Sequence, residues 1–232
     1  MHRRPAGPIR WERCSKPGGG DRWLVRFDQR DQRTYRDLVL PLVPRIERSV
    51  GPLAFATRTT SDGRIRPWPG ARSAWRRAVL RSIARAPGLV VIVSDVRDCY
   101  PSVGERALEV VACSDELRSF LRGMADAGVR GIPVGPEPSA ILANGVLAYA
   151  DRAAAAAGCR PIRWVDDIVM VAAGRRPVVR AFDAWRRALG ELGLEAHAGK
   201  TRMFTDLGEA LVKIGSLGRS GATSAHGIIP EP

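Results

Sequence analysis

The sequence predicts an α+β fold in which helices back an antiparallel sheet. Residues 88–95, GLVVIVSD, form an apolar, β-branched run that ends on an aspartate, as a fully buried central strand does. Residues 161–165 and 168–173, PIRWV and IVMVAA, predict two further strands, which a hairpin turn at Asp166 and Asp167 would join. Helical periodicity precedes and follows these strands, so helices are expected to cover the sheet.

Upstream of the central strand, the pattern predicts an arm, a strand and two helices. Residues 1–20 are polar and end in KPGGG, which is typical of an arm or a linker. Residues 21–28, DRWLVRFD, predict a short strand. The next segment spaces apolar residues four apart, as one face of a helix does: Leu38, Leu42 and Ile46. Residues 71–85, ARSAWRRAVLRSIAR, predict a second helix with arginines over most of its surface.

Downstream, four more segments complete the predicted fold. A helix is expected over about residues 104–126 and another over the small-residue segment 139–158, with the loop GVRGIPVGPEP between them. A third helix is expected over about residues 176–193. Residues 194–204, LEAHAGKTRMF, then predict a last strand with a turn.

The composition favours a polyanionic partner. The 232-residue chain has 37 Lys and Arg against 24 Asp and Glu, which gives a formal net charge of +13. Such an excess of positive charge favours nucleic acid as the partner. Abundant arginine, alanine and glycine are also what a GC-rich genome produces, so a basic surface with no dedicated partner is the alternative.

The composition also disfavours several other classes of protein. The four cysteines form no CxxC pair and the three histidines are not at zinc-ligand spacing, which argues against structural zinc and a disulfide framework. No apolar segment approaches the length of a membrane span, and the N-terminus lacks the apolar core of a secretory signal. We therefore expect a cytoplasmic protein with no membrane partner.

Three aspartates lie at the ends of the predicted strands. Asp95 closes the central strand, and Asp166 and Asp167 lie at the tip of the hairpin. If these strands are neighbours, the carboxylates converge at one edge of the sheet, where burial requires a compensating partner. Acids without nearby His or Cys are typical ligands of Mg²⁺ or Mn²⁺, and two such ions can promote phosphoryl transfer. The alternative is that Asp166 and Asp167 form an ordinary exposed turn, because aspartate is favoured in turns.

Four segments, in this order, resemble the motifs of reverse transcriptases. VIVSDVRDCYPSV (91–103) resembles the first catalytic motif of that family, and GIPVGPEPSAILAN (131–144) resembles the loop and helix that line the nucleotide and template. RWVDD (163–167) is similar to the aromatic-X-Asp-Asp hairpin, with Trp164 in place of the usual Tyr or Phe. LGLEAHAGKTRMF (192–204) resembles the next motif, in which a lysine follows a short strand.

The resemblance implies a domain organisation. It predicts a polymerase palm of the ferredoxin or RRM-like type, with short fingers and little or no thumb. We expect four parts: an N-terminal arm (1–20), fingers (21–87), the palm (88–204) and a C-terminal tail (205–232). The segment upstream of the central strand resembles the fingers of bacterial abortive-infection and phage-defence reverse transcriptases. The tail is too short for an ordinary helical thumb, so a protein partner, a second copy or the nucleic acid itself would supply the contact to the duplex.

The resemblance also assigns roles to the acids and to one aromatic residue. Asp95 and Asp166 would bind two Mg²⁺ or Mn²⁺ ions, assisted by Asp167 and by the carbonyl oxygen of Val96. Tyr100 would lie under the incoming sugar and select deoxynucleotides over ribonucleotides. The alternative for Tyr100 is a core aromatic residue that follows a strand.

The remaining candidates would contact the nucleotide or the template. Two arginines, Arg58 and Arg22, are candidate phosphate contacts, because arginine binds phosphate in a bidentate manner. The resemblance places three loop residues near the base pair, with an ordinary loop leading into a capped helix as the alternative: Pro133, Gly135 and Ser139. Lys200 would neutralise or protonate the departing pyrophosphate, or else be a solvated lysine. Asp98 is expected to cap a turn or to pair with an arginine.

Taken together, the motifs imply a nucleotidyltransferase that adds deoxynucleotides to a 3′-hydroxyl by two-metal catalysis. RNA would be the template, DNA the product and dNTPs the substrates, and bacterial anti-phage defence would be the setting. One alternative is a catalytically inactive nucleic-acid-binding or regulatory module derived from a polymerase. A second alternative is a DNA polymerase that is template-independent or protein-primed.

Overall fold

In the computed structural model of the protein, residues 7–15, 20–60, 62–86 and 88–217 are described. Six strands lie in these ranges: β1 (Arg10–Ser15), β2 (Asp21–Arg26), β3 (Leu89–Ser94), β4 (Ile162–Trp164), β5 (Asp167–Ala173) and β6 (Arg202–Phe204). Nine α-helices lie in the same ranges: α1 (Gln29–Val39), α2 (Val43–Ser49), α3 (Trp68–Ala84), α4 (Cys99–Ser102), α5 (Glu105–Glu109), α6 (Asp115–Asp126), α7 (Glu137–Ala156), α8 (Arg175–Glu191) and α9 (Leu207–Ser216).

Strand β3 lies at the centre of a four-stranded antiparallel sheet with the order β4-β5-β3-β6. It pairs with β5 from Leu89 opposite Ala173 to Ser94 opposite Ile168, and with β6 on its other side. Strands β1 and β2 form a separate antiparallel ribbon. The structure therefore confirms the predicted α+β fold, with β3 as its central strand.

Both faces of β3 are buried, which explains its continuous apolar sequence. Side chains alternate between the two faces of a strand, so Val90 and Ile92 point to one side and Val91 and Val93 to the other. Val90 and Ile92 belong to a large apolar cluster to which α1, α2, α6, α7 and α8 contribute. Val91 and Val93 belong to a smaller cluster formed with α3 and α9. The sheet thus separates two groups of helices.

The hairpin between β4 and β5 turns one residue earlier than the sequence predicted. Trp164 pairs with Asp167, so the two turn residues are Val165 and Asp166, and Asp167 is the first residue of β5. Val165 has φ of +55°, as the first central residue of a two-residue hairpin turn often does. A β-branched residue rarely adopts this conformation, which is why an apolar valine in this sequence indicated a strand.

Two predicted helices are interrupted. The segment predicted as a helix over 104–126 is divided into α5 and α6, because the Ser114 hydroxyl accepts a hydrogen bond from the Leu117 N–H at 3.2 Å and begins a new helix. The helical periodicity over Leu38, Leu42 and Ile46 runs through α1, a short 3₁₀ turn and α2. Two prolines lie in that second region, and proline lacks the amide proton that a continuous helix needs: Pro41 and Pro44.

Part of the segment predicted as an N-terminal arm is a strand. β1 lies within residues 1–20 and pairs with β2 along its whole length, from Arg10 opposite Arg26 to Ser15 opposite Asp21. The other residues of the predicted arm, 1–6 and 16–19, lie outside the described part of the chain, as does 218–232 of the predicted tail. In the ranges that the structure describes, no helix has the length and apolar character that a bilayer crossing requires.

Candidate functional site

The strand pairing brings the three predicted acids to one end of the sheet. Ser94, the last residue of β3, lies opposite Ile168 in β5. Asp95 follows Ser94 in sequence, and Asp167 precedes Ile168, so the antiparallel register places these two aspartates side by side at the end of the ladder. Asp166 lies in the adjoining turn. The sequence prediction that the acids share one edge of the sheet agrees with this register.

Burial and neighbouring charges both act on the acids at this end of the sheet. The pKa of Asp166 is raised from 3.8 to about 6, first by burial and then by the negative charge of Asp95. The positive charges of Arg22 and Lys200 act in the opposite direction on the pKa of Asp166. Asp95 is itself buried, with 6% of its surface exposed. The site therefore concentrates negative charge in a region of restricted solvation.

Lys200 lies at the centre of this acidic site. Its ammonium group donates a hydrogen bond to the Asp95 carboxylate and forms an ion pair with it. Burial lowers the pKa of Lys200, but the bond to Asp95 and the negative charges of Asp95, Asp166 and Asp167 outweigh this effect and raise it. The negative charges of all three aspartates therefore act on the Lys200 ammonium group.

The segment that carries Lys200 is tied to the end of β3 by backbone hydrogen bonds. The His197 N–H donates to the Asp95 carbonyl at 2.7 Å, and the Arg97 N–H donates to the Glu195 carbonyl at 2.8 Å. These two bonds flank the bridge between Val96 and Ala196, and neither uses the Val96 carbonyl. The arrangement fixes Lys200 beside Asp95 although 105 positions separate them in sequence.

The donor set at this end of the sheet suits a hard divalent cation. It consists of carboxylate and carbonyl oxygens, and the pKa of Asp166 is raised first by burial and then by the negative charge of Asp95, which a bound cation would offset. No three Asp, Glu, His or Cys side chains within the described ranges form a group arranged to hold a metal ion. Mg²⁺ is commonly held by one or two carboxylates together with substrate phosphates, so the pair Asp95 and Asp166 fits that mode of binding.

Tyr100 borders the acids and is fixed by the loop that follows α6. The Ile132 N–H donates to the Tyr100 carbonyl at 3.1 Å. Gly131 has φ of +63°, and a Cβ there would collide with the Tyr100 carbonyl, so only glycine allows this approach. Burial raises the pKa of Tyr100, as do the charges of Cys99 and Asp166, while Arg22 lowers it. Tyr100 and Arg22 are therefore neighbours of the acidic site.

The three loop residues predicted to contact a base pair have other neighbours. The Val25 N–H of β2 donates to the Val134 carbonyl at 2.7 Å, so the ribbon packs directly on the loop. Gly135 has φ of +120°, and a Cβ there would lie 3.2 Å from the Val25 carbonyl. Pro133 is buried, and Ser139 is fully buried in α7, where its hydroxyl is 2.9 Å from the Tyr35 hydroxyl. These contacts give the loop a packing role.

Arg58 has structural partners within the fold. The Arg58 guanidinium forms an ion pair with Glu47 at 2.9 Å and donates to the carbonyls of Val50 and Gly51, so it ties α2 to the following loop. Of the two candidate phosphate contacts, Arg22 is the one whose charge acts on the acidic site. Asp98 precedes α4 with φ of +42° and makes no capping hydrogen bond through its side chain.

Arg163 is a site residue that the sequence motifs did not single out. It is buried, with 1% of its surface exposed. Its Nε atom contacts the Asp151 carboxylate at 2.7 Å, and Nη2 donates to the Asn144 side chain at 2.8 Å, both in α7. Its Nη1 atom donates to the Val165 carbonyl at 2.8 Å. The guanidinium therefore links the hairpin turn to α7. The signal in the sequence that could have indicated this role is a charged residue inside an otherwise apolar predicted strand.

Trp164 packs on the opposite face of the same hairpin from Arg163. Because adjacent side chains in a strand point to opposite faces, Trp164 enters the smaller apolar cluster while Arg163 points towards α7. Its ring lies edge-on to Trp68 with centroids 5.3 Å apart, and 6.2 Å from the Trp75 ring. Only 1% of Trp164 is exposed. The two residues together fix the turn that carries Asp166.

We expect Asp166→Asn to stabilise the fold at neutral pH. The Asp166 carboxyl has a folded-state pKa of about 6 against 3.8 ordinarily, so its contribution to stability is greatest below about pH 4 and is lost as the pH rises through about 6. Neutral asparagine avoids this loss. The expected gain is about 1–2 kcal/mol, or a few degrees in Tm, measured by thermal unfolding in EDTA at about pH 7.5.

The same variant serves as its own control at low pH. At about pH 4 the Asp166 carboxyl is largely protonated in the folded protein, so Asp166→Asn should change Tm little there. An equal gain at both pH values would mean that the charge of Asp166 is not the cause.

Comparison with solved structures finds a chain with a similar fold. The chain is similar to the structure of apo telomerase from Candida tropicalis truncated from its C-terminal domain, with a TM-score of 0.52 and 12% sequence identity. The match covers 84% of this chain and 49% of the telomerase chain, so this chain spans about half the length of that structure. No protein-family model and no curated protein matches the sequence.

Proposed function

We propose that this chain is a nucleotidyltransferase of the reverse-transcriptase type, which adds deoxynucleotides to a 3′-hydroxyl group. The observation that carries the proposal is the antiparallel register of β3 and β5, which brings Asp95 to the same end of the sheet as Asp166 and Asp167. The fold similarity to a telomerase, which is a reverse transcriptase, supports the same class. In this proposal residues 88–204 are the palm and residues 21–87 are the fingers.

Asp95 and Asp166 would hold the divalent cations, Mg²⁺ or Mn²⁺, with Asp167 and the Val96 carbonyl as further oxygen donors. When bound, two such ions supply Lewis-acid activation of the attacking hydroxyl and stabilisation of the leaving phosphate oxygen. The orientation of these donors comes from the protein itself. The His197 N–H holds the Asp95 backbone, and Arg163 holds the turn that carries Asp166.

The positive residues beside the acids would bind the triphosphate. Arg22 and Lys200 are the cations whose charges act on Asp166. The raised pKa of Lys200 keeps its Nζ atom protonated at neutral pH, which is the state needed to neutralise or protonate a departing pyrophosphate. Tyr100, next to Asp166, would contact the sugar and select deoxynucleotides.

RNA is the proposed template, DNA the product, and anti-phage defence in a bacterial cytoplasm the proposed setting. The net charge of +13 is consistent with a nucleic-acid partner. A template-independent or protein-primed reaction would use the same acids.

One observation favours a second candidate function, an inactive nucleic-acid-binding module. Lys200 already neutralises the Asp95 carboxylate, and a lysine in that position can replace the cation that an active site would need. This candidate predicts nucleic-acid binding without synthesis. The two candidates therefore differ in whether the protein incorporates nucleotides into a nucleic acid.

The experiment that tests the proposal is an incorporation assay with the purified full chain. Labelled dNTPs are supplied with Mg²⁺ or Mn²⁺ and either a primed RNA or no template, beside an Asp166→Ala Asp167→Ala variant. We expect template-dependent incorporation, which the variant lacks, and a preference for dNTPs over NTPs. Incorporation without template would favour the template-independent reaction. RNA binding with no synthesis under any of these conditions would favour the inactive module.

A further inference from the structure

The β1–β2 ribbon is fixed to the protein beside the candidate active site. Leu24 and Val25 of β2 are each only 2% exposed, and the Val25 N–H donates to the Val134 carbonyl in the loop before α7. Arg22 lies in the same strand and is close enough to the acidic site for its charge to act on Asp166. The ribbon is therefore an ordered border of the site.

One face of this ribbon presents two exposed tryptophans. Trp11 is opposite Val25, and residues that are paired across an antiparallel ribbon lie on the same face. Val25 and Trp23 are two residues apart in β2, so Trp23 lies on that face as well. Trp11 is 46% exposed and Trp23 is 53% exposed. In contrast, the three tryptophans in the core are at most 1% exposed: Trp75, Trp164 and Trp185. On a two-stranded ribbon such diagonal neighbours are about 7–8 Å apart, a spacing that lets both indole rings contact one bound strand.

The charges of the ribbon match a polyanion. Between residues 10 and 26 the sequence has five basic residues and two acidic ones. Across the ribbon, Arg13 pairs with Asp21 and Arg26 pairs with Glu12, each at 2.6 Å, and these contacts hold the guanidinium groups beside the strands. An aromatic surface flanked by arginines suits nucleotides, because bases stack on the rings and arginines attract phosphates.

We propose that the Trp11–Trp23 face of the ribbon binds single-stranded nucleic acid, with unpaired bases stacked on the two indole rings. A duplex does not suit this face, because pairing and stacking already cover the flat surfaces of its bases. The ribbon would then hold an unpaired segment of template or primer next to the acids. This inference rests on the proposed function for the identity of the strand, but its binding step requires no catalysis.

The test compares single-strand and duplex binding by the full chain. Fluorescence anisotropy is measured with a labelled RNA of about 12 nucleotides and with a blunt duplex of the same length. We expect Trp11→Ala Trp23→Ala to weaken single-strand binding about tenfold or more and to leave duplex binding unchanged. Leu80→Ala removes a similarly exposed apolar side chain from α3 and should change neither affinity.

A second variant keeps the result interpretable if the alanine variant folds poorly. Trp11→Phe Trp23→Phe keeps two aromatic surfaces, so single-strand affinity should stay within about threefold of the original. The quenching of tryptophan fluorescence that single-stranded RNA causes in the unmodified protein should largely disappear in this variant. Quenching of undiminished size would place the bound strand at other tryptophans and overturn the inference.

The outcomes separate this inference from the proposed function. If the unmodified protein synthesises DNA and the alanine variant binds single strands equally well, the ribbon inference is wrong and the enzyme assignment stands. If the alanine variant loses single-strand binding but no protein shows synthesis, the ribbon inference stands and the enzyme assignment is wrong. Equal losses of single-strand and duplex binding would also overturn the inference, because they would indicate a general electrostatic contact.

Discussion

Nucleotide incorporation should fall by about a thousandfold or more when Asp95 is replaced by asparagine, which corresponds to at least about 4 kcal/mol of lost transition-state stabilisation. Asparagine has the shape of aspartate but no charge, so it is a poor ligand for a divalent cation. It also removes the ion pair with Lys200. The Asp95 backbone, which accepts a hydrogen bond from His197, is unaffected by the change.

Asp98→Asn is the matched control for this prediction. Asp98 lies three residues further along the chain, is exposed, and has φ of +42°, a conformation that asparagine adopts readily. It should retain incorporation close to that of the unmodified protein in the same primer-extension assay. If both variants lose activity equally, or if Asp95→Asn retains it, the acids at the end of β3 are not the catalytic group.

The second large effect is expected from Arg163→Met, which should lower the free energy of unfolding by about 3–5 kcal/mol. Methionine fills a similar volume but leaves the Asp151 carboxylate and the Asn144 side chain without their buried partner. It also removes the hydrogen bond to the Val165 carbonyl in the turn. Urea unfolding, followed by circular dichroism, measures the loss.

An exposed arginine provides the comparison for Arg163→Met. The Arg186 side chain is 59% exposed and its contact with Asp183 is 3.8 Å long, so Arg186→Met should change stability by less than about 0.5 kcal/mol. Equal effects of the two substitutions would show that Arg163 does not hold the turn. A loss of activity larger than the loss of folded protein, in Arg163→Met, would indicate a separate effect on the position of Asp166.

Much of the sheet was predictable because its signals are local. The apolar run of β3 and the short strands β4 and β5 indicate their own conformation, and the acids follow from the ends of those strands. The turn was misplaced by one residue because a β-branched Val165 occupies a position where glycine or asparagine is usual. The sequence pattern around Val165 is typical of a strand, but in the folded protein this residue begins the hairpin turn.

The contacts that complete the site were not predictable, because they join distant parts of the chain. Arg163 in β4 forms hydrogen bonds with Asn144 and Asp151 in α7, and no hydrophobic periodicity in the local sequence predicts this contact. The sequence makes Arg58 a candidate phosphate contact because arginine binds phosphate in a bidentate manner. Its ion pair with Glu47 depends on how α2 packs, which no local pattern indicates. In a chain with so many arginines, residue type alone does not distinguish the structural ones from those near the site.

The tie between Lys200 and Asp95 has a consequence for synthesis of the protein on the ribosome. Asp95 and the hairpin emerge well before residues 195–204, yet the backbone partners of Asp95 and its lysine counter-charge come from that later segment. Domains fold as units, starting from the end that is made first. In a nascent chain, therefore, Asp95 has neither its backbone partners nor the Lys200 counter-charge until residues 195–204 have been translated.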